Sequence, residues 1–445
     1  MVGGRYYASS VSFPVAARAA LPARRSRGRG RLISLITLTV VCVLGIGGVI
    51  FLAVRGSGAP EGAALSLGFA LAPVPLVVGA FLWLDRYQPE PLRYLVAAFS
   101  WGAVVSVAIV LPLQLLAAFQ LDVTDTALAT FVAPLTEEPA KGAFLIVVLL
   151  RRRRELDGVV DGLVYAGLVG VGFSFTENVG YYAGAYGGGL APELSGPEAT
   201  TGLFIVRGLF SPFTHSLFAA AFGLGVGLAV LAHNRWVRWL APVLGMLTAI
   251  TLHGLWNGSV SYFGGGGFLL VYLLMMVPTF VAFVAIAALA RRSEGRILVR
   301  ALNDAGGRGW LHPAEVPYLA SFPLRADARR FAKRVGGEGA ARAVKAYQSA
   351  ATRMAFQHDR VLRGRPTPDG IARVADELDR MAAARPWVVL PPPLRLSAVA
   401  PAPRGSGVTR PPQQLPPGSA WQQGRFGSHP AGPQQRHGDD PPPPG

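Results

Sequence analysis

The sequence predicts an all-α fold: a polytopic membrane protein of about eight transmembrane helices, followed by a small cytoplasmic helical domain and a disordered tail. The first observation is composition, because 51% of the 445 residues are hydrophobic and only 15% are charged, whereas soluble domains carry about 25% charged residues. The second is that the apolar residues form uninterrupted runs of about 18 or more, the length that a membrane-spanning helix requires. Together they exclude a soluble globular protein.

Eight apolar runs are candidates for these spans. A helix of about 20 residues is roughly 30 Å long, which matches the hydrocarbon core of a bilayer. The first run is too long for the core of a signal peptide, so we expect it to be retained as an anchor. The runs are 33–54, 64–84, 94–118, 129–150, 158–182, 208–232, 239–262 and 267–290.

The arginine distribution, our third observation, predicts the orientation. If the N-terminus is cytoplasmic, the arginine-bearing segments 86–93, 151–154, 235–238 and 291–292 all fall on the cytoplasmic side, as membrane proteins prefer. The intervening segments, including residues 183–200, carry few basic residues. The sequence therefore predicts that both termini are cytoplasmic and that the loop at 183–200 is external.

The segments outside the spans differ in composition. Residues 1–32 are predicted as a basic cytoplasmic N-terminus, and 33–290 as the membrane core. Residues 291–390 place apolar side chains at helical spacing beside arginines, which predicts a cytoplasmic helical domain. Residues 391–445 hold 15 of the 36 prolines and are predicted to be a disordered tail.

The formal charge of +17 does not indicate nucleic-acid binding. The arginines stand mainly at the ends of apolar runs and in the polar C-terminal region, where they serve membrane orientation and contact anionic headgroups. Cys42 is the only cysteine, which excludes an intramolecular disulfide and a cysteine-ligated zinc site. Two Gly-xxx-Gly pairs, Gly158/Gly162 and Gly223/Gly227, predict close contacts between helices.

Ionisable residues inside the apolar runs are costly and tend to mark function. Counted from the predicted outer helix ends, those of four helices lie roughly 5–14 Å deep, so we expect them to form one buried polar site. The structural alternative is that the carboxylates pair with the lysine and the histidines hold helices together by hydrogen bonds. These residues are Glu137, Glu138, Lys141, Glu177, His215 and His253.

Local spacing adds detail to this site. Lys141 is four residues after Glu137 and three after Glu138, so it can neutralise one of the two carboxylates. Pro139 is expected to bend or unwind the helix beside them. His253 and Asn257 share one helix face.

Charge balance favours chemistry over packing. Three carboxylates against one ammonium leave a formal charge of about −2, which a low-dielectric site holds only by protonation or by binding a cation. Two histidines and one glutamate form a familiar zinc set, and a neighbouring glutamate can take a proton from water. The chain has no HExxH, no GxSxG and no pair of intramembrane aspartates.

These residues also resemble a known pattern over about residues 60–290. The segment Glu137-Glu138-Pro139-Ala140-Lys141 resembles the EExxK motif of the PrsW family of intramembrane proteases, and 173–177 resembles its FxxxE motif. His215 resembles the single histidine of the third motif. The segment 253–257 resembles HxxxD, with Asn257 in place of the aspartate.

The resemblance implies a relative of the type II CAAX prenyl proteases that cuts a membrane-tethered protein, such as an anti-sigma factor, near the outer face of a bacterial cytoplasmic membrane. It implies Glu137 or Glu138 as general base, with the other held by Lys141, and Asn257 as a donor to the oxyanion.

Glu177, His215 and His253 would bind a metal, with zinc as the candidate, or polarise the water and the scissile carbonyl; a glutamate-only mechanism stays open. The alternatives are a CAAX-type peptidase acting on prenylated or short peptides, an ion- or proton-coupled transporter, and a non-catalytic scaffold. The chain lacks the inverted repeats that many transporters have.

Overall fold

The computed structural model describes residues 28–152, 155–189, 194–364 and 369–392. The predicted basic N-terminus up to residue 27 and the predicted tail from Pro393 onward lie outside these ranges. Within them every regular element is helical, as the sequence predicts.

The α-helices follow one another through the described ranges with short connections. In chain order they are α1 Gly28–Ser57, α2 Pro60–Leu71, α3 Val74–Leu84, α4 Leu92–Ser100, α5 Val107–Gln120, α6 Asp125–Ala127, α7 Ala133–Arg152, α8 Val159–Tyr186, α9 Gly196–Phe204, α10 Thr214–Leu231, α11 Arg235–Val271, α12 Val277–Gly307, α13 Val316–Ala320, α14 Phe322–Leu362 and α15 Gly370–Ala384. Short π-helical segments occupy Trp101–Ser106, Leu128–Val132, Ile205–Phe210 and Tyr272–Met276.

Seven helical segments of the described chain are long and apolar enough to cross a membrane. They are Thr39–Ser57, Pro60–Leu84, Leu92–Gln120, Val159–Tyr186, Gly196–Leu231, Arg235–Tyr262 and Phe268–Gly307. Each overlaps one of the eight predicted runs, which confirms a polytopic membrane protein. The remaining predicted run, 129–150, contains most of α7. The charged residues Glu137, Glu138 and Lys141 make this helix more polar than the seven segments above.

Helix α8 is the centre of the bundle. Its residues 160–173 are all buried, and it packs against α1 to α4, α7, α9 and α10. A Cβ atom at Gly162 would lie 2.2 Å from the carbonyl oxygen of Gly223, and one at Gly227 would lie 2.6 Å from the Cα of Val159. The two Gly-xxx-Gly pairs therefore allow the backbones of α8 and α10 to touch, as predicted.

Two of the π-helical segments precede helices that carry the predicted site. Leu128–Val132 leads directly into α7, and Ile205–Phe210 ends four residues before Thr214 begins α10. Such segments free backbone carbonyls from the regular helical pattern and occur frequently at functional sites. Along the chain, these two segments come just before the ionisable residues of α7 and α10.

The C-terminal helices continue from the membrane core without a break. The predicted domain boundary at 290/291 falls inside α12, which is 31 residues long. Beyond it, Leu298 and Leu302 of α12 are fully buried against α13 to α15. An ion pair between Asp157 and Arg360 of α14 joins these helices to the segment before α8. By their contacts, the described residues form one compact unit.

Candidate active site

The centre of the site is a buried lysine on α7 between two buried glutamates. The Nζ atom of Lys141 lies 3.1 Å from Glu137 Oε2 and 2.8 Å from Glu138 Oε1. The three residues are at most 4% exposed. One ammonium thus contacts both carboxylates, whereas the spacing suggested that it neutralises only one. Helix α7 continues through Pro139, so the backbone is not unwound beside the glutamates.

Two histidines on other helices complete this cluster. The Nδ1 atom of His215 on α10 is 3.2 Å from Lys141 Nζ and accepts a hydrogen bond from it, because the ammonium can only donate. On α11, His253 places Nδ1 2.8 Å from Glu138 Oε1, and its ring stacks on Phe218. The two imidazole centroids are 5.2 Å apart. Helices α7, α10 and α11 therefore bring their ionisable side chains together in one buried cluster.

Glu177 on α8 lies at the edge of the cluster. Its Oε2 atom accepts hydrogen bonds from His215 Nε2 at 2.6 Å and from Arg207 Nη2 at 2.7 Å. Its side chain is 20% exposed, unlike the buried pair on α7. Glu177 therefore contacts the cluster through His215.

Sequence reasoning missed Arg207 as a member of the site. It lies in the π-helical segment before α10, donates through Nε to Asn178 Oδ1 at 2.7 Å, and packs over the ring of Tyr181 at 4.0 Å. The available signal was that Arg207 is one of the few basic residues near a predicted external segment. Its pairing with Glu177 reduces the formal charge of the ionisable group from about −2 to −1, with neutral histidines.

Two other polar residues, Gln114 and Asn257, form hydrogen bonds with residues of neighbouring helical segments. Gln114 on α5 donates through Nε2 to Glu137 Oε1 at 3.1 Å, so both oxygens of Glu137 have a partner. Asn257, the predicted oxyanion donor, gives one hydrogen bond through Nδ2 to the carbonyl of Ala129 at 3.0 Å. Its amide keeps a second N–H, since each amide nitrogen has two.

The cluster passes a simple test for holding a cation. Glu138 Oε2 and His253 Nε2 are buried and have no hydrogen-bond partner within the described residues. Because Nδ1 of His253 donates to a carboxylate, its Nε2 atom carries the free lone pair, a tautomer inferred from the hydrogen bonds. Glu137, Glu138, His215 and His253 each offer one ligand atom, and these atoms lie within 4.8 Å of one another. Glu177 is not in this set of four.

A helical membrane bundle that converges on buried glutamates, a lysine and histidines is the arrangement expected of an intramembrane peptidase. The model of the PrsW family of intramembrane metalloproteases matches residues 90–283. The chain is 30% identical over 195 residues to Protease PrsW of Clostridioides difficile (strain 630), which covers 77% of that relative and 42% of this chain. The chain therefore belongs to the PrsW family, and it is an intramembrane peptidase.

Further relatives agree with this membership. Identity to Protease PrsW of Geobacillus kaustophilus is 28% over 192 residues, covering 76% of that protein and 42% of this chain. Identity to Protease PrsW of Oceanobacillus iheyensis is 27% over 239 residues, covering 98% of that protein and 53% of this chain. No solved structure matches the chain.

Proposed function

We propose that the protein hydrolyses a peptide bond of a membrane-tethered protein, such as an anti-sigma factor, near the outer face of a bacterial cytoplasmic membrane, with both termini cytoplasmic. The observation that carries this proposal is the buried pair of unpartnered atoms, Glu138 Oε2 and His253 Nε2. Each atom can accept a proton. Each also belongs to a residue whose other polar atom has a hydrogen-bond partner, Glu138 through Oε1 and His253 through Nδ1. A water molecule within reach of both atoms would donate a hydrogen bond to each and keep a lone pair free to attack a carbonyl carbon.

Glu138 is the better candidate for the general base. Its Oε1 atom is held by Lys141 and His253, and this leaves Oε2 to take a proton from water and pass it to the leaving amine. Glu137 has both oxygens engaged, one by Gln114 and one by Lys141. We therefore assign it to holding the ammonium in place.

The remaining polar residues stabilise this arrangement. His215 accepts from Lys141 and donates to Glu177, which Arg207 holds in turn. This chain of contacts adds a third partner to the ammonium beside the two glutamates. The second N–H of the Asn257 amide is the donor that we assign to the oxyanion.

A divalent cation, with zinc as the first candidate, would be held first by Glu138 Oε2 and His253 Nε2, the atoms without a hydrogen-bond partner among the described residues. Glu137 and His215 complete the set of four candidate ligands, and each would have to give up its contact with Lys141 to bind the ion. When bound, such an ion polarises a carbonyl and makes water a stronger nucleophile at neutral pH. The sequence names Glu177 as a ligand; its carboxylate instead lies against Arg207 and His215. We expect His253→Ala to reduce bound metal and Glu177→Gln to leave it, as measured by elemental analysis of the purified variants.

The direct test is cleavage of a membrane-tethered peptide by purified protein in lipid bilayers, with the products identified by mass spectrometry. We expect Glu138→Gln to lower the cleavage rate by at least about 10²-fold, the usual scale for losing acid–base catalysis, and Glu137→Gln by about tenfold or more. Glu61→Gln is a matched control, since Glu61 is an exposed acid at the start of α2. Unchanged cleavage in both site variants would exclude the proposed mechanism.

A further inference from the structure

Three arginines from separate parts of the chain surround one aromatic ring. Phe322 begins α14, and the Cζ atoms of Arg86, Arg291 and Arg325 lie 4.8, 5.7 and 5.9 Å from its centroid. Arg86 follows α3, Arg291 belongs to α12 and Arg325 to α14. Tyr87 also packs on Phe322, with ring centroids 4.4 Å apart. We call Arg86, Arg291, Arg325 and Phe322 the arginine cluster.

Within the described residues, none of these three guanidinium groups forms an ion pair closer than 4.0 Å. The neighbouring carboxylates have other partners. Asp85 accepts a hydrogen bond from the backbone N–H of Glu90, and Asp327 forms an ion pair with Arg330. Glu294, one turn after Arg291, is outside ion-pair distance. Arg325 donates to the hydroxyl of Thr352, which carries no charge.

The positive charges of neighbouring arginines act on one member of the cluster. Burial, followed by the positive charges of Arg329 and Arg86, lowers the pKa of Arg325 to about 10. Arg329 donates to the neutral side chain of Gln348 and so adds positive charge without a carboxylate partner of its own among the described residues. Like charges held together without counter-ions cost free energy, and an anion bound among them would recover it.

Two members of the cluster stand where an apolar stretch of the chain ends, which is where a membrane surface is expected. Arg86 is the second residue after the span Pro60–Leu84, and Arg291 directly follows the apolar part of α12. Arg291 also lies 3.6 Å from the ring centroid of Trp83, a half-exposed indole at the end of that span. Tryptophan at a span end is typical of the headgroup region, where the phosphates of lipids lie.

We propose that the arginine cluster binds the phosphate group of an anionic phospholipid. Guanidinium groups are planar donors that bind phosphate oxygens in pairs, and the exposed side chains of Leu82 and Trp83 provide an apolar surface for the lipid chains. The same phosphate would join the α3 end of the membrane core to the first turn of α14. This proposal is independent of the proteolytic function.

The test is lipid binding by the full-length protein in nanodiscs or detergent. We expect phosphatidylglycerol to raise the thermal unfolding temperature and to remain bound in native mass spectrometry, while phosphatidylcholine does neither. Each guanidinium near a lipid surface contributes about fivefold in affinity. The double variant Arg86→Gln/Arg325→Gln should therefore bind phosphatidylglycerol about 25-fold more weakly.

The matched control is Arg334→Gln/Arg342→Gln, which removes the same charge from exposed positions on α14. If this control loses as much affinity as the cluster variant, or if both lipids bind equally, the proposal is wrong. Inorganic phosphate that displaces the lipid at equal concentration would identify a soluble phosphate site and also contradict it. Because Arg86 is exposed, Arg86→Gln alone should fold and lose about fivefold, which keeps the test decisive if the double variant is unstable.

Discussion

Helix α8 lies between two groups of carboxylates, and the two groups are satisfied by different partners. Beside its C-terminal half, which carries Glu177, Glu137 and Glu138 contact Lys141, while Glu177 contacts Arg207. Near its N-terminal end, Asp85, Glu90 and Asp161 accept hydrogen bonds from backbone N–H groups or from a tyrosine. The pair on α7 and the three acids at the other end are all buried, but among the described residues only the first group has cations within ion-pair distance.

The hydrogen bonds at the N-terminal end are well defined. Asp85 accepts from the backbone of Glu90 at 2.8 Å, and Glu90 from the hydroxyl of Tyr165 at 2.5 Å. Asp161 accepts from two backbone N–H groups at 2.7 and 3.1 Å. Burial raises the pKa of Asp85 to about 7 and that of Glu90 to about 8, which favours their protonated forms relative to those of exposed carboxylates.

The comparison teaches that burial alone does not identify a reactive carboxylate. Burial without a cation favours the protonated acid, which cannot act as a base. A carboxylate with an ammonium beside it remains able to accept a proton. Pairing with a buried cation therefore distinguishes the site on α7 from the acids at the other end of α8.

The largest effect that we expect follows from removing the ammonium. Lys141→Met leaves Glu137 and Glu138 buried without their counter-ion, and breaking a buried pair in this way costs about 3–5 kcal/mol. We expect a large fall in thermal stability and loss of cleavage. Part of the stability should return in the double variant Lys141→Met/Glu138→Gln, in which only Glu137 stays buried without its counter-ion, while cleavage stays absent. A single variant as stable as wild type would contradict the pairing.

The next effect concerns Arg207, which acts through Glu177 and His215. We expect Arg207→Gln to lower the cleavage rate about tenfold, the scale of losing an outer hydrogen-bond partner. Arg207→Lys keeps the charge and should restore part of the rate. A structural role alone would reduce stability without this partial rescue, so cleavage and unfolding are measured on the same samples.

The smallest effect is at the opposite end and appears as a dependence on pH. Since the pKa of Asp85 is raised in the folded state, to about 7 from 3.8, its protonated form stabilises the fold below about pH 4, and this contribution is lost as the pH rises to about 7. Asp85→Asn removes this loss and keeps an acceptor for the Glu90 N–H. We expect its unfolding temperature to exceed that of wild type by more at about pH 7.5 than at about pH 5, by a few degrees. An equal difference at both pH values would show that Asp85 stays ionised.

The sequence was sufficient for the spans and for the main polar residues because both depend on local signals. Long apolar runs define the helices, and a charge inside such a run is conspicuous. Arg207 was missed because its role comes from a contact 30 residues away in the chain, with Glu177. The contact of Lys141 with both glutamates depends on side-chain packing, which spacing cannot determine.

The predicted domain boundary at 290/291 comes from composition, which does not determine where a helix ends. Composition changes at residue 291, whereas α12 continues to Gly307. The arginine cluster was likewise invisible in the sequence, since Arg86, Arg291 and Arg325 approach one another only when α3, α12 and α14 pack.

The measurement that tests the central claim most directly compares two isosteric amide substitutions, one in the cation-paired group of carboxylates and one in the group near the N-terminal end of α8. Glu138 and Asp161 are each 2% exposed, and each is changed from an acid to its amide. We predict that Glu138→Gln lowers the rate of peptide cleavage in bilayers by at least about 10²-fold, while Asp161→Asn keeps it within about threefold, because an amide oxygen can accept the same two backbone hydrogen bonds. Equal losses in the two variants, or a larger loss in Asp161→Asn at equal folded fraction, would contradict the assignment of the cation-paired end as the reactive one.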